Sequence, residues 1–129
     1  MHKQLLPDGW AEPKGYANGV VAQGETLYLG GQIGWNAQCV FETDDFVKQL
    51  HQTLQNIKAI LAAGGAGPEH MTRMTWFITD KQAYTDNLRA IGGVYREIMG
   101  KNFPAMSVVQ VKALIEDRAK IEIEVTAVK

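Results

Sequence analysis

The apolar residues between positions 43 and 65 recur at steps of three and four, which is the period of one face of an α-helix. They are Phe46, Leu50, Leu54, Ile57 and Leu61. Thr43 is a residue type that caps helix N-termini, and the pair Gly64-Gly65 is of the type that ends helices. The pattern therefore predicts an amphipathic helix that begins at residues 43–45 and stops at Gly64.

A second apolar stripe with the same period predicts a single helix over residues 82–99. Its members are Tyr84, Leu88, Ile91, Tyr95 and Ile98. The pair Gly92-Gly93 inside this helix costs about 2 kcal/mol relative to two alanines, at about 1 kcal/mol each. We therefore expect either that packing of the stripe outweighs this cost or that the glycines let another group approach closely.

Other segments alternate apolar and polar residues with the period of two that is typical of β-strands. These segments are 19–22, 26–30, 70–78, 105–111 and 120–128. Gly24-Glu25 lies between the first two and predicts that they form a hairpin. The pair Gly30-Gly31 at the end of the second predicts a β-bulge or a close approach of the backbone to another group.

These elements follow the order β-β-α-β-α-β-β, and each helix has only one apolar stripe. Both helices can therefore cover one face of a mixed sheet, which predicts an α+β two-layer sandwich formed by all 129 residues as a single domain. The other sheet face would show Met106, Val108 and Gln110, or their neighbours, together with Glu122 and Glu124. An uncovered, partly apolar sheet face predicts self-association, with any pocket lying between subunits.

The composition is that of a globular protein, with 46% apolar residues and a formal net charge of −1. Binding to nucleic-acid phosphates needs clustered Lys and Arg, so this charge argues against a nucleic-acid partner. No run of about 18 apolar residues is present, which argues against a membrane partner. The N-terminal residues are too polar for a signal peptide, and a single cysteine, Cys39, fits a reducing compartment. We therefore expect a cytoplasmic protein.

Few of the common catalytic patterns occur in the chain. The three histidines are scattered and have no cysteine partners, so no metal site is expected. The only serine, Ser107, is not part of a Gly-x-Ser-x-Gly motif, and no phosphate-binding glycine loop is present. Glu122 and Glu124 remain, on one face of a strand. They are either a solvated strand face or, in a cleft between subunits, a general acid or base.

Six short motifs spread over the chain have a common resemblance. They are Gly15-Tyr16-x-x-Gly19, Gly31-Gln32-Ile33, Gln52-Thr53-Leu54-x-Asn56-Ile57-x-x-Ile60-Leu61 with Gly64-Gly65, Phe77-Ile78-x-Asp80, Phe103-Pro104-Ala105, and Ile121-Glu122-Ile123-Glu124. Together they cover nearly the whole length of the chain, which in these motifs resembles the RidA/YjgF family.

The resemblance implies a chorismate-mutase-like fold and a homotrimer whose sheets line its interior, with three clefts between subunits. It also implies a reaction: active members of the family hydrolyse reactive enamines and imines to a keto acid and ammonia. That reaction needs no cofactor, so none is expected here. The implied partner besides the other subunits is a small-molecule ligand.

The resemblance also implies roles for individual residues. Tyr16 matches the family's cleft tyrosine, and Glu122 matches the glutamate thought to position the attacking water. Gly31 matches a glycine whose backbone faces the ligand, and Gly30 stands where a serine is often found. The position directly after Pro-Ala, where the family usually has an arginine that binds the substrate carboxylate, is Met106 in this chain.

A thioether cannot form an ion pair, so Met106 leaves the function open. One hypothesis is a hydrolase whose substrate is less anionic or is bound differently. Another is a non-catalytic small-molecule-binding protein, whose more apolar cleft would include Met106 and Val108. A ribonuclease or translation-inhibitor role is disfavoured by the net charge. Four arginines are candidates to replace the missing anchor: Arg73, Arg89, Arg96 and Arg118. The family's helix-borne cleft asparagine falls near Gly92.

Overall fold

The computed structural model of the chain describes residues 2–129. In chain order its elements are β1 Lys3–Leu5, β2 Gly19–Val21, β3 Thr26–Ile33, α1 Phe46–Ala63, β4 Met71–Ile78, α2 Lys81–Thr85, α3 Leu88–Met99, β5 Ala105–Gln110 and β6 Ile121–Val128. The main sheet has the strand order β3-β6-β4-β5, and only β4 and β5 run parallel. The buried stripes of α1 and α3 pack against this sheet, which confirms the predicted α+β two-layer fold.

Helix α1 is held by the apolar stripe that the sequence shows. Leu50, Leu54, Ile57 and Leu61 are completely buried, and Phe46 is nearly so. The helix starts later than Thr43, because the side chain of Asp45 accepts a hydrogen bond from Lys48 N at 2.9 Å and so acts as the N-cap. Each fully buried side chain of this size contributes about 1.5–3 kcal/mol to the hydrophobic stabilisation of the core.

A buried amide connects α1 to the segment before β6. The Gln49 side chain is fully buried. Its Nε2 donates to the carbonyls of Thr43 at 3.0 Å and Arg118 at 2.9 Å, and its Oε1 accepts from Lys120 N at 2.8 Å. One side chain thus satisfies three backbone groups that belong to two loops.

The helix predicted over 82–99 is in fact two helices, α2 and α3, with a break at Asp86 and Asn87. The glycine pair does not cause the break, since Gly92 and Gly93 both lie within α3. The Asn87 side chain donates to Ala83 O at 2.7 Å, a local bond that competes with continued helix hydrogen bonding.

The hairpin predicted around Gly24-Glu25 is wrong. Strand β2 pairs antiparallel with β1, at the N-terminus, whereas β3 pairs with β6. The turn instead meets the other end of the chain: Glu25 N and Lys129 N each donate to the other residue's carbonyl, at 2.8 and 2.9 Å. These two bonds extend the β3–β6 pairing by one residue pair, to Glu25 and Lys129.

Strand β5 is not next to the two glutamates, because β4 lies between it and β6. Glu122 and Glu124 are opposite Phe77 and Thr75 of β4 on the face without helices. Met106 is opposite the buried Met74, so it lies on the helix-covered face, as does Val108. The uncovered face therefore shows the neighbours of Met106 and Val108, namely Ser107 and Val109, and not these two residues themselves.

Candidate functional site

The glycine pair in β3 forms the predicted bulge, and the carboxylate of Glu122 lies against it. The β3–β6 register shifts between Leu29 and Gln32, so one extra residue is accommodated at Gly30-Gly31. A β-carbon built at Gly31 would be 2.5 Å from Glu122 Oε2, which is closer than real β-carbons come to other atoms. The carboxylate thus uses space that the absence of a side chain at Gly31 leaves open, and a larger residue there would displace it.

Gly30 and Gly31 differ in their surroundings. A β-carbon built at Gly30 has no atom within 4 Å. Gly30 lines a shallow cavity of about 320 Å³ on the uncovered sheet face, together with Tyr28, Arg73 and Glu124. Tyr28 is 82% exposed in the single chain, so this face carries an aromatic side chain that nothing within residues 2–129 covers. A partner that covers this face would bury Tyr28.

Tyr16 is placed by a backbone connection to the start of β5. Ala17 N donates to Pro104 O at 2.9 Å, and Ala17 forms an isolated parallel bridge with Ala105. These bonds put Tyr16, which is 42% exposed, alongside the segment that leads into Met106. The predicted tyrosine and the predicted anchor position are therefore neighbours.

Met106 lines a cavity of about 230 Å³ between the helices and β4 and β5. The walls are mostly aromatic and aliphatic: Trp76, Tyr84, Leu88, Ile91, Tyr95 and Phe103. Gly15 and Gly92 also line it, so the glycine near the position of the family's asparagine faces this space. Val108 is not among the lining residues and packs against the core instead. Its predicted contact with substrate stays a prediction.

The aromatic rings that line this cavity pack against one another. Tyr84 meets Trp76 edge-on, at a centroid distance of 6.3 Å, and Tyr95 stacks on Phe103 at 5.3 Å. The Tyr95 hydroxyl donates to Asn102 O at 2.5 Å. Burial raises the pKa of Tyr95 and that of Tyr84 above the ordinary tyrosine value, so both are neutral phenols at pH 7.

The four candidate arginines lie in different places. Arg118 is paired with Asp44 at 2.8 Å, a hydrogen bond that lowers the pKa of Asp44, and it also lies over the Phe41 ring. Arg73 is on the uncovered sheet face. Arg89 and Arg96 are both exposed residues of α3, and only Arg96 lines the cavity that contains Met106.

The predicted site residues fall into two groups that one chain does not bring together. The first group is Glu122 with Gly30 and Gly31 on the uncovered sheet face, and the second is Met106 with Tyr16 at the edge strand. Gly30 and Gly31 on β3 are three strand spacings from β5. Strand β4 lies between Glu122 on β6 and Met106 on β5, which amounts to two strand spacings of about 4.8 Å each. Their side chains also lie on opposite faces of the sheet.

Sequence reasoning missed the role of Trp76 and Lys14 in lining the cavity. Trp76 is 1% exposed, and its indole N–H is the one buried side-chain nitrogen or oxygen within residues 2–129 that has no hydrogen-bond partner. A tryptophan in the buried stripe of a strand is a usable signal, because its N–H normally needs an acceptor. No feature of the sequence indicates that Lys14 lines the cavity, since its position depends on how the irregular N-terminal segment folds back.

Residues 2–129 contain neither a candidate metal centre nor a membrane-spanning helix. No group of three or more His, Cys, Asp or Glu side chains could hold a metal ion there. None of the helices in that range is long and apolar enough to cross a membrane.

Comparison with known proteins places this arrangement in a family. Residues 10–129 match the family model described as endoribonuclease L-PSP. The 2-iminobutanoate/2-iminopropanoate deaminase of Dermatophagoides farinae is 32% identical over 114 residues, which is 88% of this chain and 85% of that protein. The RutC family protein of Aquifex aeolicus is 32% identical over 103 residues, 80% of each chain.

Solved structures share the fold at similar levels of identity. Yersinia pestis YyfB, a member of the conserved Rid protein family, superposes with a TM-score of 0.88 at 29% identity, covering 99% of this chain and 98% of that one. Escherichia coli TdcF, solved with bound serine, gives 0.69 at 33% identity, covering 94% and 91%. The fold is thus that of the YjgF proteins, which is chorismate-mutase-like. The chain belongs to the RidA/YjgF family.

Proposed function

We propose that this protein is a deaminase that hydrolyses a reactive imine or enamine to a carbonyl compound and ammonia. The observation that carries the proposal is the Glu122 carboxylate, which lies beside Gly31 at the β3 bulge. The relative named for the deamination of 2-iminobutanoate and 2-iminopropanoate supports this reaction class. The serine bound to TdcF supports a small-molecule ligand of amino-acid size.

The proposed reaction needs one proton acceptor close to the substrate. An enamine first tautomerises to the imine. Water then adds to the carbon of the C=N bond, Glu122 accepts a proton from that water, and the nitrogen is protonated. The C–N bond breaks as the C=O bond forms, and ammonia leaves. One water is consumed per imine, with no change in oxidation state. A positioned general base contributes about 10²–10⁴-fold to such a step.

We further propose that the reaction takes place between subunits of a homotrimer. Glu122 and Met106 lie on opposite faces of the sheet, so a cleft containing both groups needs two chains. The uncovered face also carries Tyr28, which is 82% exposed, and Val109, which is 43% exposed. Burial of such apolar surface favours association. In this cleft Tyr16 orients the substrate. Light scattering on the purified protein tests the assembly, and a monomer at micromolar concentration would contradict it.

The test of the deaminase proposal is ammonia release from imines that an amino-acid oxidase generates in situ. We expect the wild-type protein to accelerate release above the uncatalysed rate, and Glu122→Gln to lose at least about 10²-fold of that acceleration. Glu124→Gln is the matched control, because Glu124 lies on the same face of β6 two residues further on and should keep activity. Absence of acceleration, or an undiminished Glu122→Gln variant, would overturn the proposal.

A second candidate function is ligand binding without turnover. The aromatic cavity that contains Met106 favours it, since this cavity can hold an apolar body whether or not a reaction follows. Tight binding of a carbonyl compound by a protein that does not accelerate imine hydrolysis would establish this function in place of the first.

A further inference from the structure

The cavity that contains Met106 is lined by two charged side chains, Lys14 and Arg96, and both are cations. No carboxylate of residues 2–129 is among its lining residues. The ion pairs formed within that range involve other residues, so both cations are free of internal partners. A cavity with two free cations attracts an anion.

Arg96 is held close to Gly92, one helical turn earlier in α3. A β-carbon built at Gly92 would be 3.6 Å from Arg96 Nη1, so the guanidinium lies over the glycine. An asparagine at position 92 would place its amide in the same space. The glycine thus leaves that side of the guanidinium open toward the cavity, where a ligand carboxylate can accept two parallel hydrogen bonds.

The ring of Trp76 forms part of the wall of this cavity, and its indole N–H has no hydrogen-bond partner within residues 2–129. Trp76 lines this cavity and is almost completely buried. A buried donor without an acceptor is unfavourable, and such donors are rare in native proteins. That nitrogen has almost no accessible surface, so a ligand in the cavity would meet the ring of Trp76 and not its N–H.

The apolar walls and the volume of the cavity indicate what the part of the ligand beyond its carboxylate should be. Six aromatic or aliphatic side chains surround a volume of about 230 Å³. An apolar cavity of about 150 Å³ holds a benzene molecule, so this one has room for a phenyl ring with a short acidic tail. Met106 adds a polarisable thioether, which packs well against aromatic rings.

We propose that Arg96 is the carboxylate-binding residue of this protein and that it selects 2-imino and 2-oxo acids with an aromatic or long apolar side chain. This inference concerns the same cleft as the proposed function and rests on it for the reaction. Arg96 supplies the charge from helix α3 that Met106 does not supply from β5, and the space around Met106 and Gly92 takes the larger side chain.

Binding measurements on the purified wild-type protein test this inference without activity. Phenylacetate and its neutral analogue phenylacetamide report the need for a charge, and phenylpyruvate and 2-oxobutanoate report the need for a large side chain. Calorimetry gives affinities. The indole N–H signals of the three tryptophans, assigned with Trp10→Phe and Trp35→Phe, show whether a ligand contacts the ring of Trp76.

We expect phenylacetate to bind at least about tenfold more tightly than phenylacetamide, phenylpyruvate more tightly than 2-oxobutanoate, and the Trp76 signal to shift on binding. Arg96→Gln should weaken phenylacetate binding at least about tenfold and leave phenylacetamide binding unchanged, as expected for loss of a charge-assisted contact. Arg89→Gln is the matched control, an exposed arginine of α3 that does not line the cavity, and it should bind as the wild type does. Lys14→Gln should have a smaller effect of the same sign.

Equal binding of phenylacetate by the wild type and Arg96→Gln would overturn the assignment of Arg96 as the carboxylate-binding residue. Equal binding of phenylpyruvate and 2-oxobutanoate would overturn the selection for a large side chain. An unmoved Trp76 signal would overturn the placement of the ligand in this cavity. Arg96-dependent binding without imine hydrolysis would leave this inference standing while the deaminase proposal fails.

Discussion

The carboxylate of Glu122 occupies the space that a side chain at position 31 would need. Oxygen Oε2 is 2.5 Å, and carbon Cδ 2.8 Å, from the place where a β-carbon of residue 31 would lie. The two residues are on neighbouring strands, and the bulge in β3 brings them together.

Gly31→Ala is therefore expected to move Glu122 and to lower kcat for imine hydrolysis by about 10²-fold, the usual consequence of misplacing a catalytic group by about 1 Å. Ammonia release from in situ imines measures it. The matched control is Gly30→Ala, since a β-carbon at Gly30 has no neighbour within 4 Å. The prediction fails if the two variants have equal activity.

Returning an arginine to the position after Pro-Ala should shift substrate preference. In an Arg96→Gln background, Met106→Arg is expected to raise kcat/KM for 2-iminopropanoate at least about tenfold, because a guanidinium again meets the substrate carboxylate. In the wild-type background the gain should be smaller, since two guanidinium groups would share one cavity and repel each other. Steady-state rates on 2-iminopropanoate distinguish the two backgrounds. An equal gain in both would show that Arg96 and Met106 do not share a ligand.

Gln49 stabilises the fold through three backbone groups. Gln49→Ala leaves Thr43 O, Arg118 O and Lys120 N without partners and opens a void, so we expect the free energy of unfolding to fall by about 3 kcal/mol. Urea unfolding measures the loss. Gln55→Ala, an exposed position on the same helix, should change it by less than about 0.5 kcal/mol. A loss at Gln49 no larger than that at Gln55 would contradict this account.

The buried tyrosines make stability depend on alkaline pH. Burial raises the pKa of Tyr95, so between the ordinary value near 10 and its higher folded value the unfolded chain loses a proton that the folded chain keeps. The free energy of unfolding should therefore be constant with pH below about 9 and fall above about 10, as far as Tyr95 contributes. Tyr95→Phe should make that fall less steep, measured by urea unfolding between pH 8 and 11. It also removes the bond to Asn102 O and so lowers stability at pH 8 by about 1 kcal/mol. Equal slopes for the wild type and Tyr95→Phe would refute the argument.

The sequence predicts a helix or strand correctly where one face of that element is buried, because the buried face leaves a periodic pattern of apolar residues. The α1 stripe is predictable because its five apolar residues all reach the same core. The fold class follows from the order of the elements and from the single stripe on each helix. The motifs around Tyr16, Gly31 and Glu122 identified the family, and the glycine pair in β3 correctly predicted a bulge.

The errors came from contacts between distant parts of the chain. A hairpin around Gly24 is the default for two close strands, but the N-terminal β1 competes for β2 and the C-terminal β6 for β3. The orientation of Met106 depends on which face of β5 the helices cover, and alternation alone cannot decide between two faces. The break between α2 and α3 is an exception, because the bond found there, from the Asn87 side chain to Ala83 O, is local.

The separation of Glu122 and Arg96 by the thickness of the sheet has a consequence for mixed assemblies. In a trimer with clefts between subunits, each chain lends its glutamate to one cleft and its arginine to another. Two impaired variants, Glu122→Gln and Arg96→Gln, would then complement each other after dissociation and joint reassembly, because some clefts would receive Glu122 from one parent and Arg96 from the other. Recovery of activity on mixing would show that each active site is formed by residues of two chains.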